Sequence, residues 1–365
     1  MKRERIFLLV GIILLSIFGL IMIYSASSVW SEYKFNDPYK YIKSQGLFLI
    51  VGYIVLFIIS RFPYQEYKNK ANIIFLVCFI LLILVLIPGI GTVRNGSRSW
   101  FGIGSFGIQP SEFTKLGLII FCSKYLYNNQ KNIKDIKSGV LPILGILMLV
   151  FGLIMLEPDF GTGVVIVMTI IVLLFISGVK MNFFIKIGIV GLLGVVGLII
   201  IAPYRMQRIV SFLNPWNDPL GSGFQIIQSL YAIGPGGLLG LGFGNSIQKH
   251  FYLPEPQTDF IFSIISEEFG FMGVVLVTTL FLIIIISGFS IAMKCEDFFG
   301  KYLAFGITFG LSFQTMLNLM VVVGLIPVTG VTLPFLSYGG SSLLITMCSM
   351  GILLNISRQN IKSVL

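Results

Sequence analysis

The sequence predicts an all-α polytopic membrane protein with ten transmembrane helices, both termini cytoplasmic, and a large extracytoplasmic loop between helices seven and eight. Three observations carry that reading. Of 365 residues, 56% are hydrophobic and only 11% charged, where a soluble globular chain has about a quarter charged. Mean hydropathy is +0.96, and apolar stretches of bilayer length recur along the whole chain. The basic residues gather on alternate sides of those stretches.

A helix of about 20 apolar residues crosses a hydrocarbon core roughly 30 Å thick. That ruler selects ten stretches, near 6–26, 44–60, 71–88, 112–127, 140–156, 163–179, 183–202, 260–293, 302–325 and 334–357. Lys2, Arg3 and Arg5 precede the first, but the run Ile6 to Tyr24 exceeds a signal-peptide core and reads as a retained span. The block 140–179 is cut by Glu157, Pro158, Asp159, Gly161 and Gly163, which make a tight hairpin. With a cytoplasmic N-terminus, the inner segments hold 16 Lys and Arg and the outer ones 8, so both termini are placed inside.

The whole chain, 1–365, reads as one integral membrane domain with extracytoplasmic loops at about 89–111 and 203–259. Loops of such length are usually functional or disordered. Phe212, Trp216, Phe224, Ile226, Ile227, Leu230 and Tyr231 make the second too apolar for a solvated linker, and short amphipathic helices at the outer face are expected there. The net charge of +10 is spread between apolar blocks, which argues against nucleic acid. Cys78, Cys122, Cys295 and Cys348 have no CxxC spacing, and His250 stands alone, so no disulfide framework or zinc site is expected. Gly102 to Gly107 matches GxGxxG but lacks the βαβ context, and Gly240, Gly242 and Gly244 lack the P-loop lysine.

Charges at membrane depth are the informative residues. Lys115 lies nine residues before Lys124, about 13 Å of helix, which places it in the outer half of the membrane. An ionisable group there marks a functional site by default, against the alternative of a lysine snorkelling to the interface. Glu112 is spaced to partner it at i, i+3. Asp259, Ser263 and Glu267 recur at helical spacing at the start of a very long apolar helix, with Glu268 following. Asp259 there is either a helix cap or a group facing a cavity. Arg98 beside Trp100 suits phosphate and sugar contacts or a membrane-belt anchor, and Arg205 and Arg208 present two guanidinium groups at i, i+3. Ser337 to Ser342, after Pro334, reads as a helix start built of small residues.

Acids and bases under the outer face suit a substrate with a polar head and a lipid tail. Composition leaves three classes open: a transporter, an enzyme acting on a lipid-linked substrate, and a scaffold. No clear internal repeat supports a transporter.

Six ordered segments then carry a resemblance: Asn95 to Trp100, Gln109 to Lys115, Glu157 to Thr162, Arg205 to Trp216, Tyr252 to Phe262 and Leu333 to Ser342. Together they closely resemble the shape, elongation, division and sporulation (SEDS) family, which includes FtsW, RodA and SpoVE, over nearly the whole chain. The segment Tyr231 to Gly242 looks more like the FtsW and SpoVE branch. The resemblance implies a peptidoglycan glycosyltransferase of the bacterial cytoplasmic membrane that polymerises lipid II by inverting transfer, usually paired with a single-pass class B penicillin-binding protein. It maps the essential aspartate onto Asp259, the cavity lysine onto Lys115 and the loop tryptophan onto Trp100, while Thr329 stands where some division members carry a lysine. Lys115, Arg98 and one of Arg205 or Arg208 are expected to face the leaving diphosphate, and an ion pair between Lys115 and Asp259 is expected in the empty cavity. No cofactor is evident; a divalent cation, Mg or Mn, would suit the diphosphate, but no ligand cluster with metal spacing stands in the sequence. A lipid II flippase and a scaffold for the transpeptidase are the competing readings.

Overall fold

The computed structural model describes residues 1–94, 96–103, 106–201 and 203–362. Ten long helices occupy the ten apolar stretches: α1 (Lys2–Phe35), α2 (Lys40–Arg61), α3 (Gln65–Leu86), α4 (Pro110–Asn128), α5 (Leu141–Leu156), α6 (Phe160–Ile176), α7 (Met181–Ile201), α10 (Ile261–Lys294), α11 (Phe298–Val322) and α12 (Gly340–Lys362). Two shorter helices, α8 (Pro203–Leu213) and α9 (Phe224–Ile233), lie in the large loop as expected. Among the described residues seven helices are long and apolar enough to cross a membrane, with α6 and α7 shorter apolar helices beside them. The polar start and end of α4, Glu112, Lys115 and Lys124, set it apart from those seven.

Local chemistry sets the ends. Pro110 opens α4, Asp159 caps α6 by accepting from the Thr162 amide at 3.1 Å, and Asp297 caps α11 through the Gly300 amide at 3.0 Å. The hairpin predicted at Glu157 to Gly163 joins α5 to α6 in three residues. Two boundaries differ from the apolar pattern. Ser337, Tyr338 and Gly339 belong to a loop, and α12 begins at Gly340. Within α10, Gly270 leaves helical geometry at φ 60°, because the 236–240 turn presses against it and a Cβ would meet the Gly240 nitrogen at 2.4 Å.

The first outer loop departs from an all-α reading. It forms a small antiparallel sheet of β1 (Thr92–Arg94), β2 (Ser97–Ile103) and β3 (Phe106–Ile108) in the order β1-β2-β3. Thr, Val, Trp, Phe and Ile alternate here with the Asn-Gly dipeptide at 95–96, a sequence that favours a hairpin.

Packing divides the buried side chains into two clusters. One gathers α1, α2, α10, α11 and α12 around Leu15, Phe281, Leu303 and Met347; the other gathers α3 to α6 around Leu82, Leu118, Leu147 and Leu173. α4 belongs to both, through Ile119 and Ile120 on one face and Leu118 and Cys122 on the other. Lys115 therefore sits where the two halves meet. Outward-facing Ile50, Ile54, Phe57, Ile73 and Ile286 are each more than half exposed, a surface that lipid covers.

Gly161 marks the closest approach of the α5–α6 hairpin to the loop before α12, since a Cβ would lie 2.6 Å from the Thr329 carbonyl oxygen. Gly161→Ala is expected to destabilise the detergent-purified protein by about 1–3 kcal/mol. Gly46→Ala, at a position with nothing within 4 Å, is the control and is expected to be neutral or slightly stabilising in the same thermal-unfolding measurement.

Candidate active site

Lys115 does not snorkel. Its ammonium donates to Glu112 Oε2 at 2.9 Å and to Gln314 Oε1 at 2.6 Å, and its side chain is only 12% exposed. The local i, i+3 partner is thus the one the spacing predicted. Gln314, on α11, uses its other end to donate to the Thr332 carbonyl at 3.0 Å. That arrangement fixes the amide orientation, because an ammonium has no lone pair and can only face the amide oxygen. Beneath Lys115, α4, α11 and α12 enclose a cavity of about 30 Å³, large enough for a water molecule.

One turn further along α11, Asn318 donates to the Asp259 carbonyl at 2.7 Å and to the Val331 carbonyl at 2.8 Å. The segment before α10 is held at two more points. Ser337 Oγ donates to the Thr258 carbonyl at 2.7 Å, and the Tyr338 amide donates to the Gln257 carbonyl at 2.8 Å. Three consecutive carbonyls, 257 to 259, are therefore pinned from α11 and the loop before α12. Asp259 is not the cap of α10, whose first turn is preceded by Phe260. It is half-buried, and its carboxylate faces Gly330, where a Cβ would lie 3.9 Å from Oδ2.

Lys115 and Asp259 are linked to a common helix. Both are tied to α11 and the 331–332 strand of loop, by amides four residues apart and hence offset by about 6 Å along the helix. The helical stripe Asp259, Ser263, Glu267 is also divided. Ser263 Oγ lies 2.7 Å from Ser229 Oγ of α9, and Glu267 accepts from Ser246 Oγ at 2.5 Å and the Ile247 amide at 2.9 Å. Glu268, fully buried, pairs with Lys249 at 3.1 Å and accepts from Ser25 Oγ at 2.6 Å. These acids anchor the large outer loop to α10 and α1, so they hold the site's roof and do not line its cavity.

The α5–α6 hairpin closes another side. Asp159 accepts from Gln109 Nε2 at 3.0 Å and Ser111 Oγ at 3.4 Å, both in the segment that opens α4. Ser341 of α12 links the same joint by accepting from the Gln109 amide at 3.1 Å and donating to the Gly107 carbonyl at 2.8 Å. Arg98 points elsewhere than expected: its guanidinium reaches the Leu86 carbonyl, at 3.5 Å, where α3 ends. Trp100 is half-buried on β2, its carbonyl accepting from Thr92 Oγ1 at 3.0 Å. Arg205 and Arg208 are carried by the amphipathic helix α8, and their side chains lie outside the described residues. Among the described residues no three His, Cys, Asp or Glu side chains are grouped to hold a metal ion, and the four cysteines are free.

Gln314, Asn318 and Asp159 escaped the sequence reading as site residues. A signal was present: two amides at i, i+4 inside an apolar span recur on one helix face, and a buried amide in a membrane needs a polar partner.

These features define a polytopic membrane protein with a charged pocket under one leaflet, walled by segments from opposite ends of the chain. The family model FTSW_RODA_SPOVE, described as cell cycle protein, matches residues 5–362, and the chain belongs to that family. It is 54% identical to stage V sporulation protein E of Bacillus subtilis (strain 168) over 97% of both chains, and 42% identical to the probable peptidoglycan glycosyltransferase FtsW of Geobacter sp. (strain M18) over 94% of both. Among solved structures it is similar to a chain of a peptidoglycan synthase complex that coordinates polymerization and crosslinking, with TM-score 0.78, 29% identity and 97% of each chain covered. The rod shape determining protein RodA of Thermus thermophilus aligns with TM-score 0.71 and 28% identity over 97% of this chain and 96% of that one. The protein is a multi-pass protein of the cytoplasmic membrane.

Glu157 generates a pH prediction. Both its carboxyl oxygens are buried without a hydrogen-bond partner, and that burial, with Asp159 close by, pushes its pKa up to about 9 from 4.5. Asp159 is raised for the same first reason, burial, with the Glu112 carboxylate adding to it. An acid that keeps its proton in the folded state binds more protons there than when unfolded, so stability falls as pH rises from about 4.5 to about 9. Glu157→Gln is expected to flatten the dependence of Tm on pH in that window; an unchanged slope would show that Glu157 is not the group responsible.

Proposed function

We propose that this chain is a peptidoglycan glycosyltransferase that polymerises lipid II at the outer face of the cytoplasmic membrane, with Asp259 as general base. The observation that supports the reading is the pair of amides on neighbouring turns of α11, one accepting from the Lys115 ammonium and the other donating to the Asp259 main-chain carbonyl. That geometry suits a reaction needing a base at one point and positive charge at another. The names of the FtsW relatives and the solved synthase complex support the same activity.

In the proposed step, the Asp259 carboxylate takes the proton of the 4-hydroxyl of the acceptor N-acetylglucosamine. The freed oxygen attacks C1 of the N-acetylmuramic acid on undecaprenyl diphosphate, the C1–oxygen bond to the diphosphate breaks on the opposite face, and the configuration inverts. Lys115 supplies charge to the departing diphosphate by exchanging Gln314 or Glu112 for a phosphate oxygen. Arg205 and Arg208 are proposed to reach the same anion from α8, while Arg98 serves chiefly to end α3. Trp100, on the outer sheet, is proposed to stack against a sugar. A divalent cation would arrive with the diphosphate, since the described residues offer no cluster to hold one beforehand. The strands made here would pass to a class B penicillin-binding protein, in keeping with the synthase complex it resembles.

The test is lipid II polymerisation by the purified full chain together with its transpeptidase. Asp259→Asn is expected to lower the rate by about 10² to 10⁴ while membrane insertion and Tm stay near wild type; glycan strands of normal length and yield would refute the assignment. Asn318→Ala, which frees the Asp259 carbonyl without touching its carboxylate, is expected to lower kcat about tenfold with little change in KM, as a displaced base requires. If lipid II crosses vesicle bilayers while no polymer forms, the protein is a flippase.

A further inference from the structure

At the opposite, cytoplasmic end of the bundle, the ends of α1, α2 and α12 enclose a cleft of about 420 Å³ lined by Arg5, Leu9, Leu56, Phe57, Ser60, Arg61, Leu354 and Arg358. We infer that this cleft binds the phosphate headgroup of an anionic phospholipid from the cytoplasmic leaflet. Its volume is that of a small-molecule site, and its lining is divided by chemistry. Three arginines, at positions 5, 61 and 358, share the lining with the apolar Leu9, Leu56, Phe57 and Leu354.

The arginines have no carboxylate partner among the described residues. Glu4, next to Arg5, is committed to the chain's amino group at 2.6 Å and to Lys294. Three like charges lining one cleft repel each other, so an anion bound in it gains from all three. Arg61 is held over the Phe57 ring at 4.1 Å, which limits the order it must acquire on binding. A free inorganic anion would use the arginines and nothing else. The apolar part of the lining accounts for an acyl chain, and it continues laterally into the lipid-facing surface, where Ile54, Phe57 and Ile58 are each more than half exposed. Basic pockets between helices on the cytoplasmic side bind anionic lipid headgroups by this division of labour.

The placement has a structural consequence. α2 and α12, which carry Arg61 and Arg358, are joined at their outer ends by Gln45, which donates to the Ser337 carbonyl at 3.4 Å and accepts from the Gly339 amide at 3.2 Å. A lipid phosphate shared by the inner ends would brace the helix pair whose outer end adjoins the loop that holds the 257 and 258 carbonyls.

The test is native mass spectrometry of the full chain titrated with phosphatidylglycerol or phosphatidylcholine. The wild type is expected to retain phosphatidylglycerol preferentially. The triple variant R5Q/R61Q/R358Q is expected to lose affinity on the order of a hundredfold, at about fivefold per arginine. K131Q/K134Q/K137Q, which removes the same charge from an exposed inner loop, is expected to bind as the wild type does. Should the arginine triple fail to fold, Arg61→Gln alone is expected to lose about fivefold. Equal retention of the two lipids, equal loss in the lysine control, or unchanged binding by the arginine variants would overturn the inference. Displacement of the lipid by low-millimolar inorganic phosphate would show a simple anion site and would overturn the lipid assignment as well.

Discussion

Two amides on successive turns of α11 hold the site together. Gln314 ties the Lys115 ammonium to the Thr332 carbonyl, and Asn318 ties the Asp259 carbonyl to that of Val331. In a hydrocarbon interior each of these polar groups costs several kcal/mol if left without a partner. That penalty makes the contacts mutually dependent: removing one amide strands a cation or two carbonyls at once. Three segments far apart in the chain, at Lys115, Asp259 and Val331–Thr332, thus converge on one helix.

The surrounding structure extends the same constraint outward. Asp159 receives the segment that opens α4, Ser341 joins that segment to α12, and Glu267 and Glu268 bind the outer loop that covers α10. The break at Gly270 lets the first turns of α10 bend under that loop while the rest of the helix continues across the membrane. Polar residues at the outer end of this protein therefore fall into two groups. Some close the roof, while Lys115 and Gln314 line the small cavity.

Much of this was legible in the residues. Ten apolar stretches became ten helices, the Glu157 to Gly163 break became a hairpin, and Glu112 pairs with Lys115 as i, i+3 spacing demands. The outer sheet was missed because its strands are short and lie between spans, where a search for 20-residue apolar windows does not look. Lys115 and Asp259 stood out by charge alone, and charge does not reveal the neutral Gln314 amide that accepts from the Lys115 ammonium. Glu267 was assigned to Asp259's face by helical spacing, but spacing gives direction only once a helix is known to be continuous and its neighbours are placed.

What the amino-acid order settled is whatever depends on local composition: the membrane as solvent, the apolar helices along the chain, and the motifs that mark the family. Those follow from transfer free energies and helical repeat, which are summed over neighbours in the chain. Which acids anchor a loop, that Arg98 reaches the Leu86 carbonyl, and that Gln314 meets the Lys115 ammonium while Asn318 meets the Asp259 main-chain carbonyl were decided only on folding. Each is a contact between residues tens to hundreds of positions apart, and its energy exists only when packing brings the partners within hydrogen-bond range.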